Sequence, residues 1–156
     1  TETKEFREFS RSFDQNDAIF IISSIFGGTG SSGFPLLLKY FKNGNVNDIE
    51  LQNISDARVG ALSVLPYFKI EKPNGDSEVD SITFLSKTRA ALKYYAKTLN
   101  DTDKLSALYY IGDSSDNSYD HNDGAKNQKN NAHFVELASA NAIMDFDTNI
   151  DTYERN

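Results

Sequence analysis

The chain has 156 residues, a formal net charge of −7, no cysteine, no tryptophan and 38% hydrophobic residues. That length suits one domain with a single hydrophobic core. The acidic balance disfavours nucleic acid and anionic membrane as partners, and the lack of cysteine excludes a disulfide framework, a thiol nucleophile and a cysteine-based metal site. No run reaches membrane-span length, and the charged start TETKEFREF cannot serve as a signal-peptide core, so a cytoplasmic protein is expected.

In chain order, Phe6, Phe9 and Phe13 fall at helical spacing among charged neighbours, which predicts a surface helix ended by the polar cluster at 14–17. Residues 19–26 are an unbroken apolar run, expected to be the central strand of a parallel sheet covered on both faces. The run stops at Gly27-Gly28-Thr29-Gly30-Ser31-Ser32-Gly33. A buried helix is expected over 34–41, with Pro35 in its first turn, where a missing N–H is harmless, and Gly44 just beyond its end. Residues 43–56 read as an irregular polar connection.

A second buried strand follows in 58–69, RVGALSVLPYFK, stopping near Pro66 because proline cannot donate to a central ladder. Residues 72–80 form an exposed turn around Pro73-Asn74-Gly75-Asp76. Over 83–99, Phe84, Leu85, Thr88, Ala91, Leu92, Tyr95 and Leu99 share one helical face, with basic residues opposite. Residues 105–111 are a third apolar strand, ending in Gly112-Asp113. The stretch 114–131 is nearly free of aliphatics and is expected to be a polar mobile loop. A buried helix over 132–146 would pack through Phe134, Leu137, Ala138, Ala140, Asn141 and Met144.

Strands alternating with helices imply an α/β fold: one three-layer Rossmann-like domain spanning 1–156, with a mostly parallel sheet and helices on both faces. Right-handed crossovers would gather the glycine string, 66–69 and 112–116 at one sheet edge. At such a place the orphan N–H groups of a helix start and the positive end of its dipole point the same way, which suits phosphate. In an acidic chain that phosphate must be held by backbone groups. The alternative is a strand-to-helix turn that uses glycine only for positive φ and close packing.

Gly28-x-Gly30-x-x-Gly33 also matches the fingerprint of NAD(P)-binding oxidoreductases, whose ribose-binding acid ends the second strand about 20 residues on. Glu50 has the spacing but lies in a polar stretch, and Glu71 follows a strand but lies too far away. His121, beside Asp120 and Asp123, reads as part of a solvated loop, and His133 as a helix-capping residue, since no serine or cysteine nucleophile motif accompanies it. No metal site is expected.

The buried strand followed by GGTGSSG and a helix with an early proline resembles the phosphate loop of the tubulin/FtsZ superfamily, whose signature is a GGGTGS/TG string after a strand. LSVLPYFK looks like that family's next strand, residues 90–111 are similar to the following helix and strand, and the helix from Ala132 stands in the place of its long central helix. The resemblance implies binding of GTP or GDP, with Mg2+, and nucleotide-dependent self-assembly into a homo-oligomer or filament. It assigns Gly27, Gly28, Thr29, Gly30 and Ser31, with Ser32 and Gly33, to the phosphates. Gly112 and Asp113 would lie near the ribose beside Pro66, and Asn130 or Asn131 would meet the base. Phe26 stands where the family has its first glycine, and the family's first strand and first phosphate loop do not precede this region. Under the resemblance, then, the chain is a piece of a larger nucleotide domain. The family's catalytic acidic loop has no counterpart beyond Asp145 and Asp147, so catalytic residues stay unassigned and GTPase activity is left open. A non-catalytic assembly module of the same fold is the third reading.

Overall fold

The computed structural model describes residues 4–43, 45–46, 49–50, 52–71, 77–99, 105–114, 118–120 and 134–153. In chain order these form α1 (Lys4–Ser12), β1 (Ala18–Ser24), α2 (Gly28–Lys42), the short strands β2 (Asn45–Val46) and β3 (Ile49–Glu50), and the single turn α3 (Gln52–Ser55). There follow β4 (Arg58–Val64), β5 (Lys69–Glu71), α4 (Ser77–Thr98), β6 (Ala107–Ile111), β7 (Ser118–Asp120), α5 (Phe134–Thr148) and a 3-10 turn, Ile150–Thr152. Among the described residues no helix is long and apolar enough to cross a membrane.

β1, β4 and β6 form a three-stranded sheet in that order, parallel throughout, with Ile22 opposite Leu62 and Leu62 opposite Tyr109. Alternate residues of the strands feed two cores. Ile19, Ile21, Val59, Ala61 and Leu108 face α2 and α4, meeting Phe34, Leu38, Tyr95 and Leu99. On the opposite face Phe20, Leu62, Val64, Tyr109 and Ile111 meet Val135 and Ala142 of α5. The result is the expected three-layer α/β arrangement, Rossmann-like, with two crossover helices on one face and α5 on the other. Each fully buried Phe or Leu contributes roughly 1.5–3 kcal/mol to it. Two smaller ladders accompany the sheet, β2 with β3 antiparallel and β5 with β7 parallel.

Several expectations are corrected. The central strand is β4, buried at nearly every position, whereas β1 lies at an edge and exposes Ile22. An apolar run cannot report which of its two lateral sides is hydrogen-bonded. The connection read as irregular holds β2, β3 and α3, and within the stretch read as a polar mobile loop residues 118–120 form β7, most of the remainder lying outside the described residues. α4 starts at Ser77, six residues before its apolar stripe begins, so 77–80 is helix rather than turn. In α5 the packing face is rotated from the expected one: Ser139, Ala142 and Phe146 are buried, while Leu137 and Met144 are each 67% exposed. That helix is apolar around much of its circumference, and its pattern alone does not say which stripe meets the sheet.

Candidate functional site

The glycine string is not a loop. α2 begins at Gly28, so its first two turns are built from Gly28, Thr29, Gly30, Ser31, Ser32 and Gly33, and Gly27 is the N-cap with φ −91° and ψ 142°. None of the described glycines needs a left-handed φ, so the turn reading loses its positive-φ half. Close packing survives at one position. A Cβ on Gly30 would stand 2.2 Å from the Ser24 carbonyl oxygen and 2.9 Å from the Ser24 nitrogen, so the missing side chain lets α2 sit directly on the end of β1. Gly28 and Gly33, by contrast, have nothing within 4 Å of where a Cβ would be.

Pro35 is eight residues into the helix, not in its first turn. There it withholds the N–H that would have bonded the Ser31 carbonyl. Tyr95 supplies the missing donor: its hydroxyl, on a side chain 1% exposed, donates to that carbonyl at 2.9 Å, while its ring packs edge-on against Phe34 at 5.4 Å. Burial pushes the Tyr95 phenol up to about 12, with smaller contributions from Tyr110 and Tyr94. The far end of α2 is pinned as well, by the Lys42 ammonium donating to the Ser55 carbonyl at 3.0 Å and the Ala57 carbonyl at 2.7 Å. Asn43 caps that end, through its N–H to the Lys39 carbonyl; Gly44 lies outside the described residues.

What this fixed helix presents is an N-terminus without a side-chain cap. The first intrahelical bond of this turn runs from the Ser31 N–H to the Gly27 carbonyl at 3.0 Å. The N–H groups of Gly28, Thr29 and Gly30 precede it and have no carbonyl a turn earlier to meet. Ser31 and Ser32 turn their hydroxyls back on the helix, both donating to the Gly28 carbonyl, at 3.3 and 2.7 Å. Their oxygens keep lone pairs but their protons are engaged. On the sheet below, Ser23 and Ser63 are register partners on the α2 and α4 face, and both carry buried hydroxyls that bond no other described group.

The strand ends do converge. Ile25 N–H donates to the Val64 carbonyl at 3.0 Å and Leu65 N–H to the Ile111 carbonyl at 2.7 Å, which sets the start of α2, Pro66 and Gly112 along one edge. Gly112 is there for packing, since a Cβ would stand 2.9 Å from Leu65 Cβ. Asp113 is exposed and accepts the Ser114 N–H at 2.6 Å. Rings crowd the same edge: Phe26 lies 5.5 Å from Phe84 and 6.5 Å from Tyr67, and Tyr67 lies 5.6 Å from Phe134. Asn130, Asn131, Asp116, His121, His133 and the turn at 72–76 lie outside the described residues. Among the described residues there is no cluster of three or more His, Asp or Glu side chains that could hold a metal ion.

One contributor escaped the sequence reading. A groove of about 1030 Å3 between α2 and α4 is lined from α2 by Gly28, Ser31, Ser32, Leu36 and Lys39 and from α4 by residues that include Lys87. Lys87 reads from the sequence as one more solvated lysine, and only the packing of α4 beside α2 brings it into the groove that Gly28, Ser31 and Ser32 also line. At the end of β4 the chain reads Leu65-Pro66-Tyr67-Phe68, with no carboxylate where the dinucleotide fingerprint requires one. Comparison of the chain with family models, with curated proteins and with solved structures returns no match.

Proposed function

We propose that the chain binds a nucleotide through its phosphates, at the N-terminus of α2. The observation that carries this reading is the uncapped helix start, with the N–H groups of Gly28, Thr29 and Gly30 at the carboxyl edge of a parallel sheet and Lys87 lining the same groove. Three amide donors, a helix dipole and an ammonium all favour a polyanion. Gly28 has no side chain in the way of a close approach, and the serine oxygens of Ser31 and Ser32 can still accept from a ligand hydroxyl or a hydrated Mg2+.

GTP or GDP is the proposed nucleotide class, because the residues of the string resemble the tubulin/FtsZ phosphate loop and the end of β4 lacks the acid an NAD(P) site would use. Self-association of copies accompanies this reading. No catalytic residue is assigned. The test is calorimetric titration of the 156-residue chain with GTP, ATP and NAD(P). Saturable GTP binding that falls at least tenfold in Gly28→Val is the expected result; saturable NAD(P) binding without any response to GTP overturns the nucleotide assignment.

A further inference from the structure

The two outer faces of the molecule differ in sign and fit one another. α5 turns Leu137 and Met144 outward, each 67% exposed, with Phe134 at its start half-exposed against Tyr67, although the helix already covers the sheet with its other side. Residues 134–153 hold Glu136, Asp145, Asp147 and Asp151 and no lysine or arginine; Asp145 accepts from the Tyr109 hydroxyl and Asp151 pairs with Arg58 at 3.4 Å, and all four stay exposed. Across the sheet, α2 and α4 leave a groove with an apolar floor and walls, including Pro35, Leu36, Leu38 and Tyr94. α2 with Asn43 and residues 83–98 of α4 hold six basic residues and no acid, the two acids of α4, Glu78 and Asp80, falling near its start, and Lys39, Lys87, Arg89, Lys93 and Lys97 are exposed. In a chain of net charge −7 this separation of sign is a property of the fold.

We propose that the α2 and α4 groove, beyond the glycine end assigned to phosphate, receives α5 of a second copy of this chain along Leu36, Lys39, Tyr94 and Thr98. α5 is 15 residues long, about 22 Å at 1.5 Å per residue, long enough to lie along the groove wall from Pro35 to Asn43. An apolar helix stripe seated between two helices and flanked by opposite charges is a recurring recognition mode. The acidic flanks of α5 would lie against the basic rim. Groove and helix stand on opposite faces of one sheet, so the contact joins two different patches and leaves each bound copy with one patch unfilled. Copies therefore join head to tail, as an open series or a closed ring, and do not pair as a two-fold dimer. This inference takes the self-association of the preceding reading and names its surfaces.

Sedimentation velocity over a concentration series, with and without GTP, tests it. The wild-type chain is expected to form species that grow beyond the dimer and shrink as salt is raised. Leu36→Glu in the groove and Met144→Glu on α5 are each expected to sediment as monomers, with unaltered far-ultraviolet circular dichroism. Mixed one to one, they are expected to form a dimer that grows no further, because the intact groove of one meets the intact helix of the other. Should either variant lose its fold, Lys39→Glu and Leu137→Gln replace them with the same expectations. Association of the wild type that both variants retain unchanged, or a mixture that stays monomeric, overturns the assignment of these surfaces while self-association stands. A wild type that stays monomeric with and without GTP removes self-association itself.

Discussion

α2 and α5 are equally long and each covers one face of the same sheet, yet they are held in opposite ways. α2 is keyed at three places: Gly30 against the Ser24 backbone, the Ser31 carbonyl on the Tyr95 hydroxyl, and Lys42 on two carbonyls ahead of β4. α5 rests on Ser139, Ala142 and Phe146 and keeps large apolar side chains outside. α5 is held to the sheet by apolar packing with a hydrogen bond from the Tyr109 hydroxyl to Asp145 at 2.7 Å, whereas α2 has backbone contact and two carbonyl keys besides its apolar packing. The additional keys fix its position along the strand, which is the coordinate a helix N-terminus must hold if its N–H groups are to meet a ligand.

The contrast is broken most forcefully at Gly30. Gly30→Ala pushes a Cβ into backbone atoms of β1 that cannot turn aside, and should cost about 3 kcal/mol or more, read as a fall in the denaturant midpoint. Gly28→Ala, two residues earlier, meets open space and should be neutral or stabilise by up to about 1 kcal/mol. Equal losses at the two positions would mean that α2 is not seated on β1 in this way. The pair also separates folding from binding, since a Gly30 variant confounds the two and a Gly28 variant does not.

Next in size is Tyr95→Phe, which strands the Ser31 carbonyl and should cost about 1–3 kcal/mol. The loss should shrink in a Pro35→Ala background, because alanine restores an N–H one turn away from that carbonyl. Additive effects in this double-mutant cycle would show that the tyrosine hydroxyl is not standing in for the proline. Alkaline pH probes the same bond. The Tyr95 phenol ionises near 10.0 when unfolded and about 12 when folded, so its contribution is complete below pH 10 and is lost as pH rises toward 12. Burial, and then the hydrogen bond to Asp145, raises the Tyr109 phenol in the same direction. Unfolding midpoints followed across that window should decline, and less steeply in Tyr95→Phe. Smallest of all, Leu137→Gln and Met144→Gln on the outer stripe of α5 should change stability by no more than about 0.5 kcal/mol while reducing association.

The sequence made the layer order legible, since unbroken apolar strands between helices leave few arrangements. It also brought the glycine string, Pro66 and Gly112 to one edge. Two things stayed hidden for physical reasons. Glycine and serine are poor helix formers, so the string reads as a loop until the contact of Gly30 with Ser24 and the bond from Tyr95, 64 residues away, are known. Pro35 carries the same lesson: its place inside a helix is tolerable only because a distant hydroxyl replaces the donor it lacks. Lys87 and the outward turn of Leu137 and Met144 depend on how helices sit beside one another, which no local pattern encodes.

The most direct measurement is the amide spectrum of the 15N-labelled chain during a GTP titration. Saturable shifts of the Gly28, Thr29 and Gly30 amides, absent in Gly28→Val, are the predicted result. Shifts that leave those three amides unmoved while other residues respond would place the ligand elsewhere and contradict a phosphate site at the start of α2.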